Sequence, residues 1–231
     1  MYSDIGVNDA YQNGLRVFKK GNSRNYNTEY GALTKLLSQG SHLIAVFEHG
    51  ICQIPINSEN GVKQASADTS INMYNILPES PIVLSDTYGS KWIESIIKTS
   101  KGIYGIDIDA KRIWRITDSG FSVISDHYIN SFLDKNAVID KNYYKYDTSD
   151  YNFVTSNYNA HKQDVMFTLY SSKGKKWNIC YNEILNKWIT FYSWTPLLST
   201  NVNNVMYSFP ILSNILYKHN VDADPCYWYN E

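Results

Sequence analysis

Two aspartates two residues apart, Asp107 and Asp109, are the pair in this sequence best suited to chemistry. Two carboxylates held roughly 5 to 10 Å apart can divide the acid and base roles of glycoside hydrolysis. Here they sit between two apolar runs, where Asp is also ordinary turn chemistry, and the turn is the preferred reading. The five histidines, His42, His49, His127, His161 and His219, share no metal-ligand spacing. His49, in a hairpin turn, and His127, in the first turn of a helix, are read as local hydrogen-bonding residues. Cys52, Cys180 and Cys226 are odd in number, far apart and without a C-x-x-C spacing, so neither a disulfide framework nor a zinc site is predicted. Cys52 and Cys180 fall in predicted strands and are read as small buried apolar residues. No G-x-S-x-G elbow, glycine-rich phosphate loop, H-E-x-x-H or EF-hand pattern occurs. The chain is therefore predicted not to be an enzyme, with no catalytic residue, no cofactor and no metal.

Binding chemistry has better candidates. Aromatic residues make up 15% of the chain, with 20 Tyr and 6 Trp. The stretch 140–164 carries Tyr143, Tyr144, Tyr146, Tyr151 and Tyr158 among Asn and Asp, and is read as a long exposed loop or a glycan or partner contact. Tyr227, Trp228 and Tyr229 stand together near the C-terminus and are predicted to dock at a subunit interface, because such a cluster is unfavourable in free water. The 24 Asn, taken with the Tyr, fit an AT-rich coding sequence as well as a binding surface. Trp114, Trp177 and Trp188 occupy strand positions and are read as core. A formal net charge of −1 lacks the footprint of a nucleic-acid binder. The closest approach to a basic cluster, Lys173, Lys175 and Lys176, is assigned to a solvated hairpin tip. No apolar run reaches the length of a membrane span, and Met1 to Lys20 lacks the apolar core of a signal peptide.

The elements that would position these residues are mainly strands. In Gly102 to Ser125, apolar runs Ile103–Ile106, Ile113–Ile116 and Phe121–Ile124 are separated by Asp- and Gly-containing turns. That pattern predicts a three-stranded antiparallel meander, with Trp114 and Ile116 on one face and Ile113 and Arg115 on the other. Leu43–Phe47 with Ile51–Ile56 predicts a hairpin. Val165–Tyr170, Trp177–Tyr181 and Trp188–Tyr192 predict a second meander, and Met206–Phe209 with Ile215–Lys218 a weaker pair. The first three units start about sixty residues apart, longer than the roughly 40 to 50 of propeller repeats, the excess being loops and short helices. Helices are predicted over Tyr30–Gln39, stopped by Gly40, over Lys91–Thr99, and from an N-cap at Ser125 to Lys135. A short strand is expected at Ile82–Leu84, a surface loop at 58–80, and a polar stretch from Pro196 to Asn204. The fold class is thus mainly β: small antiparallel meander sheets arranged like β-propeller blades, with a few short helices. Residues 1–29 are an extended lead-in arm, and 30–231 a single β-rich domain, within a larger protein or alone.

Four phrases carry a family resemblance: DIGVNDAYQNG (4–14), FEHGICQIPIN (47–57), LSDTYGSKWIESIIKT (84–99) and NEILNKWITFYSW (182–194). In that order they resemble the tail proteins of crAss-like gut bacteriophages, most closely a portion of the tail muzzle proteins, over most of residues 2–209. The resemblance implies a virion component made in the host cytoplasm. It implies several copies at the distal tail, with other tail subunits as partners, where cargo proteins and DNA pass. It carries over no site residue. The aromatic surface suits subunit contacts, and a near-neutral wall would not retard DNA. A rival expectation is a carbohydrate-binding or depolymerising module that recognises host surface glycans. Neither reading requires specific nucleic-acid binding or a membrane span.

Overall fold

Short turns that only a few residue types tolerate divide this chain into four contiguous meanders. The computed structural model describes residues 14–20, 22–26, 29–56, 80–139, 152–171, 176–210 and 214–219, together with Ser3, Tyr11, Leu77 and Pro78. The first sheet holds β1 (Leu33–Gln39), β2 (His42–Phe47), β3 (Ile51–Pro55) and β4 (Ile82–Ser85). The second holds β5 (Ile97–Lys98), β6 (Ile103–Asp107), β7 (Arg112–Thr117) and β8 (Gly120–Val123). A single α-helix among the described residues, α1 (Asn130–Asn136), precedes the third sheet of β9 (Phe153–Asn159), β10 (Asp164–Tyr170), β11 (Lys176–Asn182) and β12 (Lys187–Tyr192). The fourth is β13 (Pro196–Val202), β14 (Val205–Pro210) and β15 (Tyr217–Lys218). In every sheet spatial order follows chain order and all pairs are antiparallel. The expected mainly-β, blade-like architecture is what the chain adopts.

The turns show why. Between β13 and β14 lie only Asn203 and Asn204, at φ 50° and 62°. Two consecutive left-handed residues match the right-handed twist of a two-residue hairpin, and Asn tolerates that region better than other side chains do. Lys111, Gln163 and Asn186 take the same conformation in the β6–β7, β9–β10 and β11–β12 hairpins. Asp107 closes its own turn, one carboxylate oxygen accepting the Ala110 N–H at 2.9 Å, and its other oxygen accepts the Gly89 N–H at 2.9 Å. The turn reading of Asp107 and Asp109 therefore holds. Asp109 pairs with Lys91.

The sheets stack face to face in chain order, each interior sheet giving alternate residues to two apolar layers. Ile44, Val46 and Ile51 of the first sheet meet Ile103, Trp114 and Ile116 of the second. Tyr104, Ile106 and Ile113, on the second sheet's other face, meet Val154, Val165, Phe167, Ile179 and Tyr181 of the third, with Ile129 and Leu133 closing the layer. Met166 and Cys180 then meet Met206 of the fourth, with Trp194 between them. Trp114 lies flat across its strand partner Gly105, where a Cβ would fall 2.3 Å from the indole ring, so only glycine fits. No apolar cluster among the described residues joins the fourth sheet to the first.

Five local expectations are corrected. Tyr30–Gln39 is not a helix. Leu33, Leu36 and Leu37 fit a helical stripe, but the segment pairs with β2 and Gly40 turns the hairpin at φ 55° instead of stopping a helix. Lys91–Thr99 forms only a 3₁₀ turn at Ile93–Ser95 before β5. There the Ser90 and Ser95 hydroxyls, 2.6 Å apart, bond to nearby main chain and offer it an alternative to helix. Ser125 does not cap the following helix, because its Oγ accepts the Ile113 N–H at 3.0 Å and α1 starts five residues later. The exposed loop or contact surface expected over 140–164 contains the buried strand β9, and the polar stretch after Pro196 is β13. The remainder of the 58–80 loop expectation falls largely outside the described residues.

Candidate functional site

β9 is polar by composition yet buried along its whole length, so each of its hydrogen-bonding groups must be matched from within. The Ser156 hydroxyl donates to the Ser95 carbonyl, and Asn157 Nδ2 donates to Thr155 Oγ1 at 3.2 Å. From the fourth sheet, Asn201 clamps the end of β9: its amide donates to the Tyr158 carbonyl at 2.8 Å and its oxygen accepts the Ala160 N–H at 3.2 Å. Tyr158 itself is 9% exposed, its ring within the layer between the second and third sheets, so it offers no open stacking platform. Burial raises its hydroxyl pKa, the nearby Glu183 adding to that and the Ser100 hydroxyl opposing it. Tyr143, Tyr144, Tyr146, Tyr151, Tyr227, Trp228 and Tyr229 lie outside the described residues.

The richest polar geometry is a groove of about 630 Å³ at one end of the second and third sheets, lined by Lys101, Tyr104, Arg115, Asp118, Glu183 and Asn186 among others. Arg115 bridges the two sheets, one guanidinium nitrogen donating to Tyr181 Oη at 3.2 Å and Asn186 Oδ1 at 2.9 Å, while Nε donates to Ser122 Oγ at 3.1 Å. Glu183, 2% exposed, accepts the Thr99 hydroxyl at 2.6 Å through Oε1, whereas Oε2 accepts no hydrogen bond. The Lys101 ammonium reaches the Glu183 carbonyl at 3.3 Å, and Trp188 Nε1 donates to the Ile124 carbonyl at 3.1 Å. Burial, then Glu183, pushes the Tyr104 hydroxyl well above the usual phenol range, and burial raises Tyr181 against the pull of Arg115. Five hydrogen bonds thereby tie the second sheet and its turns to the third sheet and its turns, and what this arrangement does chemically is hold the two together at the groove.

The exposed aromatic candidate lies elsewhere. Phe191, 51% exposed on β12, packs edge-on to Phe132 of α1 at 4.7 Å, and Phe132 packs edge-on to Trp177 at 5.7 Å. The three line a groove of about 450 Å³ with Asn136 and Lys176. Sequence reasoning placed Phe191 only in a strand; the signal that finds it is its alternation with half-buried Trp188, Thr190 and Tyr192 on an edge strand. Trp114 and Trp177 are core as expected, and Trp188 is half-buried against it. Cys52 and Cys180 are buried free thiols, and burial raises both. Among the described residues no group of three or more His, Cys, Asp or Glu is placed to hold a metal ion, and no helix is long and apolar enough to cross a membrane.

A protein-family model described as Crassvirus muzzle protein matches residues 15–211. The chain belongs to the crassvirus muzzle protein family. In this muzzle-family chain the match runs from ahead of β1 through the first three sheets and on to the end of β14, leaving out β15, so the inter-sheet ties described above all fall inside it. The family places the chain among phage structural proteins of the tail, and so within the virion with virion proteins as partners. No curated protein gives a significant match to the muzzle-family chain.

Proposed function

We propose that the chain is a non-enzymatic wall element of the phage tail muzzle, made in the host cytoplasm and assembled in several copies at the distal tail, where cargo proteins and DNA leave the particle. The observation that carries this reading is the muzzle-family match over residues 15–211, from ahead of β1 to the end of β14. Hydrogen-bonded ties supplement apolar contact between the second and third sheets and between the third and fourth, which suits a part that must hold its shape. On this reading 1–29 is a lead-in to one blade-like domain over 30–231, further sheets complete a propeller-like ring, and Tyr227, Trp228 and Tyr229 contact neighbouring subunits. The test is immunogold labelling of intact virions with an antibody to this chain, alongside mass spectrometry of purified particles. Label at the tail tip is the expected result; a chain missing from purified particles, or labelled on the capsid, overturns the reading.

The aromatic groove of Phe132, Trp177 and Phe191 supports a second reading as a receptor-recognition module for host surface glycans, with Tyr143, Tyr144, Tyr146 and Tyr151 as further contacts. A Phe191→Ala chain that binds capsular glycan as well as the parent would refute the groove's part in it.

A further inference from the structure

The two grooves differ in the kind of charge they carry. The polar one, where the second and third sheets meet, holds Lys101 and Arg115, but Asp118 and Glu183 line it as well. Its cations are also engaged within the fold, Arg115 with Tyr181, Asn186 and Ser122, and Lys101 with the Glu183 carbonyl. The aromatic groove has the Lys176 ammonium in its wall and no acid. The elements that build it agree. α1, β11 and β12 carry a single acid among them, Asp134, and the Arg112 guanidinium holds its Oδ1 at 2.9 Å. Lys176, exposed at the start of β11, makes no ion pair among the described residues.

The rest of the wall says what kind of anion fits. Phe191 supplies an open ring whose setting is fixed by its edge-on contact with Phe132. Asn136 donates its Nδ2 to the Phe132 carbonyl at 2.9 Å, and its own carbonyl accepts from Trp177 Nε1 at 3.4 Å, which leaves Oδ1 as an acceptor. Ser193 and Thr195 add hydroxyls. A volume of about 450 Å³ lies within the roughly 300 to 1,000 Å³ of small-ligand sites, so it takes a short piece of a polymer. A neutral sugar would leave Lys176 unused. An acidic peptide would use Lys176, but a Glu or Asp side chain has neither a ring face for Phe191 nor a hydroxyl to donate to Asn136.

We propose that the groove of Phe132, Trp177 and Phe191 takes an acidic saccharide, a uronate-type unit of a surface polysaccharide, with a sugar ring against Phe191 and its carboxylate on the Lys176 ammonium. The proposal rests on the glycan-recognition reading above and names the ligand class of that site. Because Lys176 is exposed, its charge adds modestly to affinity, about two- to fivefold, and salt screens it. The ring contact carries the remainder and does not depend on salt in that way.

Isothermal titration calorimetry of the full chain with oligosaccharides of galacturonate and of glucuronate, each beside its neutral methyl ester, tests it. Esterification removes the charge and keeps the ring. At low salt the acid should bind about two- to fivefold more tightly than its ester, and the difference should vanish in about 1 M salt. Lys176→Gln should abolish the preference and leave ester binding unchanged, whereas Phe191→Ala should weaken acid and ester alike. Circular dichroism confirms that both variants keep the parent spectrum, and Phe191→Leu serves if Phe191→Ala does not fold. Equal binding of acid and ester by the parent, or a preference that survives Lys176→Gln, overturns the acidic class and keeps the glycan reading. No binding of either at millimolar concentration overturns both. Oligoglutamate that binds as tightly as the uronates assigns the groove to acidic peptide and overturns the saccharide. None of these outcomes bears on whether the chain is found at the tail tip, which the virion labelling decides separately.

Discussion

Gly105 and Trp114 face each other across β6 and β7, and their contact sets up a sign reversal that can be measured. An alanine Cβ at Gly105 would lie 2.3 Å from the indole Cζ2, far inside van der Waals contact. The ring has little room to yield: it is fully buried, its Nε1 donates to the Gly89 carbonyl at 2.9 Å, and Phe121 packs beside it at 6.3 Å. Overpacking of this kind costs about 1 to 3 kcal/mol. The same substitution also removes glycine's extra backbone freedom in the unfolded chain, which by itself stabilises by roughly 0.4 to 1 kcal/mol. Gly105→Ala in the parent should therefore destabilise by about 1 to 2 kcal/mol net. In a Trp114→Leu background the ring is gone, only the entropic gain remains, and Gly105→Ala should be neutral or stabilising. Urea denaturation of the four chains in this double-mutant cycle, followed by far-ultraviolet circular dichroism, gives the coupling, expected at about 1 to 3 kcal/mol. Trp114→Leu alone costs less than the about 3 to 5 kcal/mol of truncating a buried tryptophan to alanine, leaving a folded chain to measure. An equal cost of Gly105→Ala in both backgrounds would show that the close approach of ring and backbone does not constrain this layer.

Other expectations follow from single sites. His219, buried with Nε2 2.6 Å from Ser208 Oγ and its ring stacked on Trp194, has its pKa lowered to about 4, chiefly by burial and then by Lys162. A depressed histidine favours the neutral ring in the folded state. Its contribution is thus complete above an unfolded value near 6.5 and is lost as pH falls toward 4, at most about 3 kcal/mol and less where water screens the ring. Thermal melts between those pH values should show the loss in the parent and a flatter profile in His219→Gln. Asn204→Gly should be neutral or slightly stabilising, whereas Asn204→Val, forcing a β-branched residue to φ 62°, should cost about 1 to 3 kcal/mol by chemical denaturation. Asn201→Ala removes both bonds that hold the end of β9 to the fourth sheet and should destabilise by about 1 to 3 kcal/mol, whereas Thr200→Ala, at the exposed position beside it on β13, should change stability by less than about 0.5 kcal/mol.

The elements legible in the sequence are those in which turn chemistry and apolar runs agree. β6 to β8 and β10 to β12 were each delimited by Asp, Asn and Gly between runs of Ile, Trp and Phe, and the structure keeps the predicted faces, Ile113 looking toward the third sheet and Trp114 toward the first. β1 was hidden because Leu33, Leu36 and Leu37 satisfy a helical period as well as a hairpin does, and only pairing with β2 decides between them. β9 was hidden for the opposite reason. Phe153 to Asn159 is rich in Thr, Ser and Asn, and its burial depends on partners such as Asn201 and Ser95 that lie 40 to 60 residues away. Tyr158 shows the same limit at the level of a site: residue type suggested an exposed contact, and exposure is a property of its neighbours. Glu183 and Asn186 sit in an unremarkable turn sequence, and the groove they form exists only once the second and third sheets meet. The family was more legible than the site, because four phrases spread along the chain carry it and no single position does.

Each of the four sheets is built from one uninterrupted stretch of chain, and that has a consequence for synthesis. As the polypeptide leaves the ribosome, the first sheet can pair all its strands before the second emerges, and each later sheet meets a completed surface on which to condense. Most pairings within a sheet close short loops, so their entropic cost stays low; the longer closure is that of β4 on β3, across residues 56–81. β9 is the exception in timing, since its polar strand finds its remaining partners only when Asn201 has been translated. Ribosome-bound chains stalled inside the third sheet should therefore protect the first two sheets from protease while β9 remains cleavable, and a stall beyond β14 should seal it.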